Sequence, residues 1–166
     1  MAQVLVLYDT RSGNTEKMAE LVANGARSVS GIEVKVKKIQ ETSLEDLENS
    51  DAIIVGSPTY YGLMSAPVKE LFDQSVKIHG KLEGKVGAAF TSSGGTASGA
   101  ETTILSILDA MLIHGMIVQG RHDGRHYGAA SVGAPQEPDA RYCEELGRRT
   151  AELARLVKKK GTSRPG

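Results

Sequence analysis

Thr10, Ser12, Asn14 and Thr15 cluster around Ser12-Gly13, directly after the apolar run Val4–Tyr8. Short hydrogen-bonding side chains beside a glycine that turns the backbone tightly can aim several N–H groups at one point. A helix opening just after them adds its own unpaired N–H groups and the positive end of its dipole. The chemistry on offer is anion binding, with phosphate the best match. Thr10-Arg11-Ser12-Gly13-Asn14-Thr15 is neither a nucleoside-triphosphate loop, which needs spaced glycines and a Gly-Lys-Ser/Thr ending, nor a Gly-x-Gly-x-x-Gly dinucleotide turn. An ordinary strand-to-helix turn capped by Asn14 is the other reading, and this segment alone does not separate the two.

Two further segments share its character. Ser57-Pro58-Thr59-Tyr60-Tyr61-Gly62 follows the apolar Ala52–Gly56, and Ser92-Ser93-Gly94-Gly95-Thr96-Ala97-Ser98-Gly99 follows Lys85–Thr91. Tyr60 and Tyr61 can supply an aromatic face, and backbone groups of 92–96 can bond the edge of a heteroaromatic ring. Glycines at 56, 62, 94, 95, 99, 124 and 128 suggest backbone brought close to something bound. Beside a phosphate at 10–15, these groups describe a ligand with a flat polar ring system.

The elements that must position these loops follow from periodicity. Residues 3–8, 52–56 and 85–91 read as buried strands, and Glu33-Val34-Lys35-Val36-Lys37 alternates like a half-exposed edge strand. A helix over 15–29 places Met18, Leu21, Val22, Gly25, Ala26 and Val29 on one stripe, with Glu16 and Glu20 facing solvent. Ser43 with Asp46 predicts a capped short helix, and Pro67 opens another that turns Val68, Leu71, Phe72 and Val76 inward. Helix 101–114 carries Ile104, Leu105, Ile107, Leu108, Met111 and Leu112, a surface wider than one stripe, which fits either a subunit contact or deep burial. Gly115–Val118 begins the last strand, 119–127 is a polar excursion, and Ala129–Val132 continues it. Pro138 opens a final helix to about Lys160 with Tyr142, Leu146, Leu153 and Val157 on its buried side; 161–166 reads as a disordered tail.

Strands alternating with helices at this spacing predict one open parallel α/β sheet covered on both faces. Ligands in such sheets bind beyond the carboxyl ends of the strands, which turns the three loops into one site. The 166 residues suffice for one domain, taken as 1–160. Twenty basic residues balance twenty acidic ones, so nothing recommends nucleic acid as a partner. The single cysteine, Cys143, rules out an internal disulfide and reads as a packing residue, while four scattered histidines suggest no metal site. With no leader pattern and no apolar run of about 20 residues, the expectation is a cytoplasmic protein without integral membrane association.

Thr10-x-Ser12-Gly13-Asn14-Thr15 resembles the phosphate loop of flavodoxin-like proteins. Gly56-Ser57-Pro58-Thr59-Tyr60-Tyr61-Gly62 with Met64 is similar to the flavin loop of the WrbA-type NAD(P)H:quinone oxidoreductases. Ser92-Ser93-Gly94-Gly95, Glu101-Thr102-Thr103-Ile104, His114-Gly115-Met116 and Tyr127-Gly128-Ala129 resemble further segments of that group in the same order, so the likeness spans residues 3–133 and the final helix. It implies a flavodoxin-like three-layer sandwich, with a five-stranded parallel sheet in the order 2-1-3-4-5. It also implies FMN as cofactor: Thr10, Arg11, Ser12, Gly13, Asn14 and Thr15 on the phosphate, with Pro58, Thr59, Tyr60, Tyr61, Gly62, Ser92, Ser93, Gly94 and Gly95 around the ring.

Two departures fall where a second substrate would approach. Ile113 stands where the family has the first of two histidines, and the stretch before Tyr127-Gly128 is shorter and rich in Arg121, His122, Arg125 and His126. The expected function is hydride transfer from NADH or NADPH through FMN to a quinone-like acceptor by a ping-pong mechanism. His114, His122 and His126 are the acceptor-side candidates. Equally open are a helix-capping role for His114 and a merely solvated turn for the other two. A flavodoxin-type single-electron carrier is the alternative; zero net charge and the lack of an aromatic residue in 92–99 speak against it. A non-catalytic FMN-binding module is a third reading. The resemblance and the broad apolar helix 101–114 together suggest a homodimer or homotetramer.

Overall fold

Residues 1–161 are described by the computed structural model; of the expected disordered tail 161–166, Gly161 closes the last helix and the rest lies outside the described residues. The chain runs β1 (Ala2–Tyr8), α1 (Asn14–Arg27), β2 (Ile32–Lys38), α2 (Leu44–Glu48), β3 (Ala52–Pro58), α3 (Ala66–Gln74), β4 (Val86–Ser93), α4 (Ala100–Ile113), β5 (Ile117–Val118), β6 (Ala129–Val132) and α5 (Asp139–Gly161). All strand pairs are parallel, in the order β2-β1-β3-β4-β5, with β6 also on β4. β5 pairs with Val86 and Gly87 and β6 with Phe90–Ser93, so the two are halves of one fifth strand. The result is the flavodoxin-like three-layer sandwich in the expected 2-1-3-4-5 order.

The period-two alternation of the strands builds one core on each face of the sheet. Val4, Val6, Tyr8, Ile54 and Phe90 meet α1 and α5, whereas Leu5, Leu7, Ile53, Val55 and Ala89 meet α3 and α4. β2 lies at the edge with alternating exposure, as its Lys/Val pattern requires. Ser43 accepts from the Asp46 N–H while Asp46 accepts from the Ser43 N–H, which realises the predicted capping box at α2.

Packing sharpens two expectations and overturns a third. The buried seam of α5 is formed by Cys143, Ala151 and Ala154, while Tyr142, Leu146, Leu153 and Val157 are partly buried flanks. Large side chains cannot occupy this seam because α5 lies so close to α1. A Cβ on Gly25 would stand 1.8 Å from the Glu144 carbonyl oxygen, and one on Gly147 1.8 Å from that of Val22. Val76 is 69% exposed, because the chain tightens into a 3-10 turn over Ser75–Ile78 that brings Ile78 inward instead. On α4, Ile104, Ile107, Leu108 and Met111 are buried, but Leu112 and Ile113 stand exposed, so deep burial does not explain its whole apolar surface. Among the described residues no helix is long and apolar enough to cross a membrane.

Candidate functional site

The register aligns the carboxyl ends of the inner strands. Gly56 sits beside Tyr8 and Ser92 beside Pro58, so the segments following β1, β3 and β4 emerge at one edge of the sheet. β1 and β3 flank the point where strand order reverses, where such sheets form their ligand crevice. A cleft of about 170 Å³ opens there, lined by Arg11, Ser12, Asn14 and Thr15, by Pro58, Thr59 and Tyr60, and by Ser92, Ser93, Gly94 and Gly133. A larger groove of about 490 Å³ lies between α1 and α5. Two arginines and two glutamates line that groove and no strand end opens into it, so the sheet-edge cleft is the better candidate.

Within the first loop, Gly13 takes φ 86° and serves as the N-cap of α1 without any side-chain cap, which removes the reading of Asn14 as the cap. Thr10 Oγ1 accepts from the Gly13 N–H at 3.0 Å, and the Lys17 N–H closes the first helical turn on the Gly13 carbonyl. Among the described residues the N–H groups of Ser12, Asn14, Thr15 and Glu16 meet no protein acceptor. Unpaired donors at the positive end of a helix fit an anionic oxygen. Thr15 is buried and its Oγ1 lies 2.8 Å from Ser92 Oγ, tying the first loop to β4. Only one proton lies between two hydroxyls, so one O–H of the pair remains free to donate.

The second and third segments are held just as firmly. β3 extends through Pro58 and β4 through Ser93, beyond the ends expected at Gly56 and Thr91, because Ser92 and Ser93 gain β6 as a partner. Thr59 donates its N–H to the Ser92 carbonyl at 2.8 Å, and Thr91 Oγ1 donates to the Ser57 carbonyl at 2.6 Å. Tyr60 and Leu63 exchange both backbone hydrogen bonds around Tyr61 and Gly62, which have φ 50° and 73°, the geometry of a two-residue hairpin turn. That turn leaves the Tyr61 side chain fully exposed and places Tyr60 under the Arg11 guanidinium, 5.4 Å from the ring centre.

The glycines divide by role. A Cβ on Gly56 would strike the Phe90 ring at 2.2 Å and one on Gly128 the Ala89 carbonyl oxygen at 2.1 Å, so both serve packing rather than a bound group. Gly94 and Gly95 have open space on the side-chain side, which leaves the cleft wall low there. Of the expected site residues, Thr10, Gly13, Tyr61, Gly62 and Gly95 support the loops without lining the cleft. Gly133 lines it and was not foreseen. The strand-end rule, applied to the fifth strand as well, would have pointed to it.

None of the three candidate histidines lines the cleft. His114 is the C-cap of α4, at the end of that helix remote from Gly99, and its Nε2 lies 2.7 Å from Ser75 Oγ. Ser75 Oγ donates to the Phe72 carbonyl, so His114 carries its proton on Nε2, and among the described residues its buried Nδ1 has no partner. Burial, reinforced by the neighbouring His79, pushes the His114 pKa below the ordinary histidine value. The 119–128 excursion leaves β4 beside Ala88 and Ala89 and folds onto α5. Arg121 pairs with Asp123 and Glu145, Arg125 pairs with Asp139, and both guanidinium groups lie over the Tyr142 ring. His126 Nδ1 is 2.8 Å from the Arg121 carbonyl oxygen, and His122 is exposed. The excursion is therefore an ion-paired clamp on α5. Cys143 is buried, and burial pushes its thiol up to about 12, as befits a packing residue.

Residues 37–123 match the family model described as NADPH-dependent FMN reductase. The chain is 46% identical over 160 residues to a flavodoxin of Aquifex aeolicus, covering 92% of this chain and 86% of that one. It is 39% identical to an NAD(P)H dehydrogenase (quinone) of Archaeoglobus fulgidus, covering 93% and 98%. That second alignment runs over 188 residues, more than the 166 of this chain, so the relative carries sequence without a counterpart here. Among solved structures, a flavodoxin from the domain Archaea superposes with a TM-score of 0.75 at 31% identity, covering 92% of this chain and 99% of that one. A WrbA-like protein from Agrobacterium tumefaciens superposes with a TM-score of 0.80 at 27% identity, covering 95% and 99%.

Proposed function

The chain belongs to the NADPH-dependent FMN reductase family of flavodoxin-like proteins, close to the WrbA-type NAD(P)H:quinone oxidoreductases, and from that premise we propose that it is an FMN-dependent oxidoreductase passing electrons from NADH or NADPH to a quinone-like acceptor. The observation that carries this reading is the meeting of uncapped α1 N–H groups with the ends of β3 and β4 in one cleft. The residues fit the cofactor. The N–H groups of Ser12, Asn14, Thr15 and Glu16 and the Thr15–Ser92 hydroxyl pair suit a dianionic phosphate; Pro58–Tyr60 and Ser92–Gly94 stand where its ring would lie.

Bound FMN would supply reversible two-electron chemistry, taken up as hydride from a nicotinamide and given to the acceptor in a second, ping-pong step. The residues of this chain bind, orient and expose. The Thr15–Ser92 and Thr59–Thr91 hydroxyl pairs fix the two strand ends that flank the ligand. A cleft of about 170 Å³ is smaller than the roughly 300 Å³ or more of a pocket that engulfs its ligand, so the ring would sit at its mouth. The side-chain-free Gly94-Gly95 leaves one approach open to a flat partner. His114, His122 and His126 take no catalytic part in this reading, since none lines the cleft.

A flavodoxin-type electron carrier is the second reading, favoured by the 46% identity to the Aquifex aeolicus flavodoxin over an alignment no longer than this chain. Anaerobic addition of NADH or NADPH to the FMN-loaded protein separates the two. Bleaching of the flavin absorbance, its recovery on adding a quinone, and parallel double-reciprocal lines support the oxidoreductase. If neither NADH nor NADPH is oxidised with any of several quinones, the reading is overturned. We further propose that the exposed Leu112, Ile113 and Ile117 mark a self-association surface that makes a homodimer or homotetramer.

A further inference from the structure

Helices α1 and α2 both carry an acidic residue at their third position, and the structure treats the two oppositely. In α2 that residue, Asp46, folds back and accepts from the N-cap Ser43 N–H at 2.8 Å, filling the positive end of its own helix. In α1 the corresponding residue is Glu16, and its carboxylate does not fold back. It accepts instead from the buried Tyr8 hydroxyl at 2.7 Å, with Lys38 Nζ 3.9 Å away. Tyr8 and Lys38 are register partners at the ends of β1 and β2, so the sheet presents both groups side by side to the flank of α1.

We propose that Tyr8 and Lys38 are positioning residues that hold the Glu16 carboxylate away from the N-terminus of α1, so that the cradle stays free for the phosphate of a flavin mononucleotide. This rests on the FMN reading above. A released Glu16 has the first turn of its own helix within reach, as Asp46 does in α2, and there it would compete with the phosphate for donors and repel it. The Thr10 hydroxyl fits the same scheme: it satisfies the Gly13 N–H that a folded-back glutamate would otherwise claim. Burial and the Glu16 carboxylate push the Tyr8 phenol well above its ordinary range, so it remains a hydrogen-bond donor throughout the working pH range. The Tyr8 hydroxyl touches nothing in the cleft, and its effect reaches the ligand only through Glu16.

The test is a titration of the full-length apoprotein with FMN and, separately, with riboflavin, which lacks the phosphate. Tyr8→Phe should weaken FMN binding roughly tenfold and leave riboflavin binding unchanged, narrowing the preference for the phosphorylated ligand. Tyr8→Phe with Glu16→Ala should restore FMN affinity, because alanine can neither occupy the donors of the first turn nor repel the phosphate. Lys38→Met offers a second route to the same phosphate-specific loss through a half-exposed residue whose change does not disturb the core. FMN affinity unaltered in both Tyr8→Phe and Lys38→Met overturns the inference alone. An equal loss for riboflavin overturns it as well, since a loosened fold would weaken both ligands, and so does an absence of recovery with Glu16→Ala, since Glu16 would then not be the group that harms binding. If the unsubstituted protein binds FMN no better than riboflavin, the phosphate reading of the loop falls, and this inference with it.

Discussion

Thr15 and His114 show how single polar atoms behave when burial fixes their partners. Thr15 Oγ1 shares a buried hydrogen bond with Ser92 while its N–H is free, and Asn14 beside it lines the cleft. In the proposed reading Asn14→Leu with Thr15→Val removes two hydrogen bonds to a charged group, each worth roughly 1.5–3 kcal/mol. FMN titration of the apoprotein should show a severe loss, with the circular dichroism of the sheet retained. His114 yields a pH prediction. Its folded pKa lies below the ordinary value of about 6.5, so as pH falls through that value the unfolded chain takes up a proton that the folded chain refuses. Stability is full above that pH and declines below it. Urea midpoints at about pH 7.5 and about pH 5.5 should show this decline, and it should shrink in His114→Gln.

Elements are held by two contrasting devices. The seam between α1 and α5 is an apolar close approach that depends on Gly25 and Gly147. Gly147→Ala puts a methyl group against the Val22 carbonyl and should cost roughly 1–3 kcal/mol or more, measured as a lowered denaturant midpoint. The 119–128 excursion uses charge instead, with Arg121 and Arg125 paired to carboxylates above Tyr142. Its composition reads as a solvated turn or an acceptor-binding loop. The clamp depends on Glu145, Asp139 and Tyr142, which lie on a helix that follows it in sequence, so no local pattern announces it.

The whole molecule presents its cleft at one edge of the sheet and exposed apolar side chains at the far end of α4. Leu112 and Ile113 are 57% and 78% exposed, which a lone chain gains nothing from. Light scattering in the micromolar range should give a mass that is a multiple of 17.6 kDa, and Leu112→Glu with Ile113→Glu should reduce it to one chain. A single-chain mass for the unsubstituted protein would remove the proposed assembly.

The sequence by itself determined the elements, their order, and the three loops that share the cleft. Those features rest on local causes: apolar runs in the inner strands, alternation in the edge strand, the Ser43–Asp46 cap, Pro67, and the small and hydroxyl residues after the inner strands. It also placed the Thr10–Thr15 loop at the site but left open whether Asn14 capped the helix, and it read Glu16 as merely solvent-facing. Only the tertiary structure decided those points. Gly13 becomes an uncapped N-terminus, and Glu16 is drawn to Tyr8 and Lys38, because β1 and β2 pair in register beside α1. His114 likewise meets Ser75 from another helix, and α5 needs small residues because of what α1 presents. A side chain's role is legible in sequence when its partners are near in the chain, and these partners are brought together only by packing.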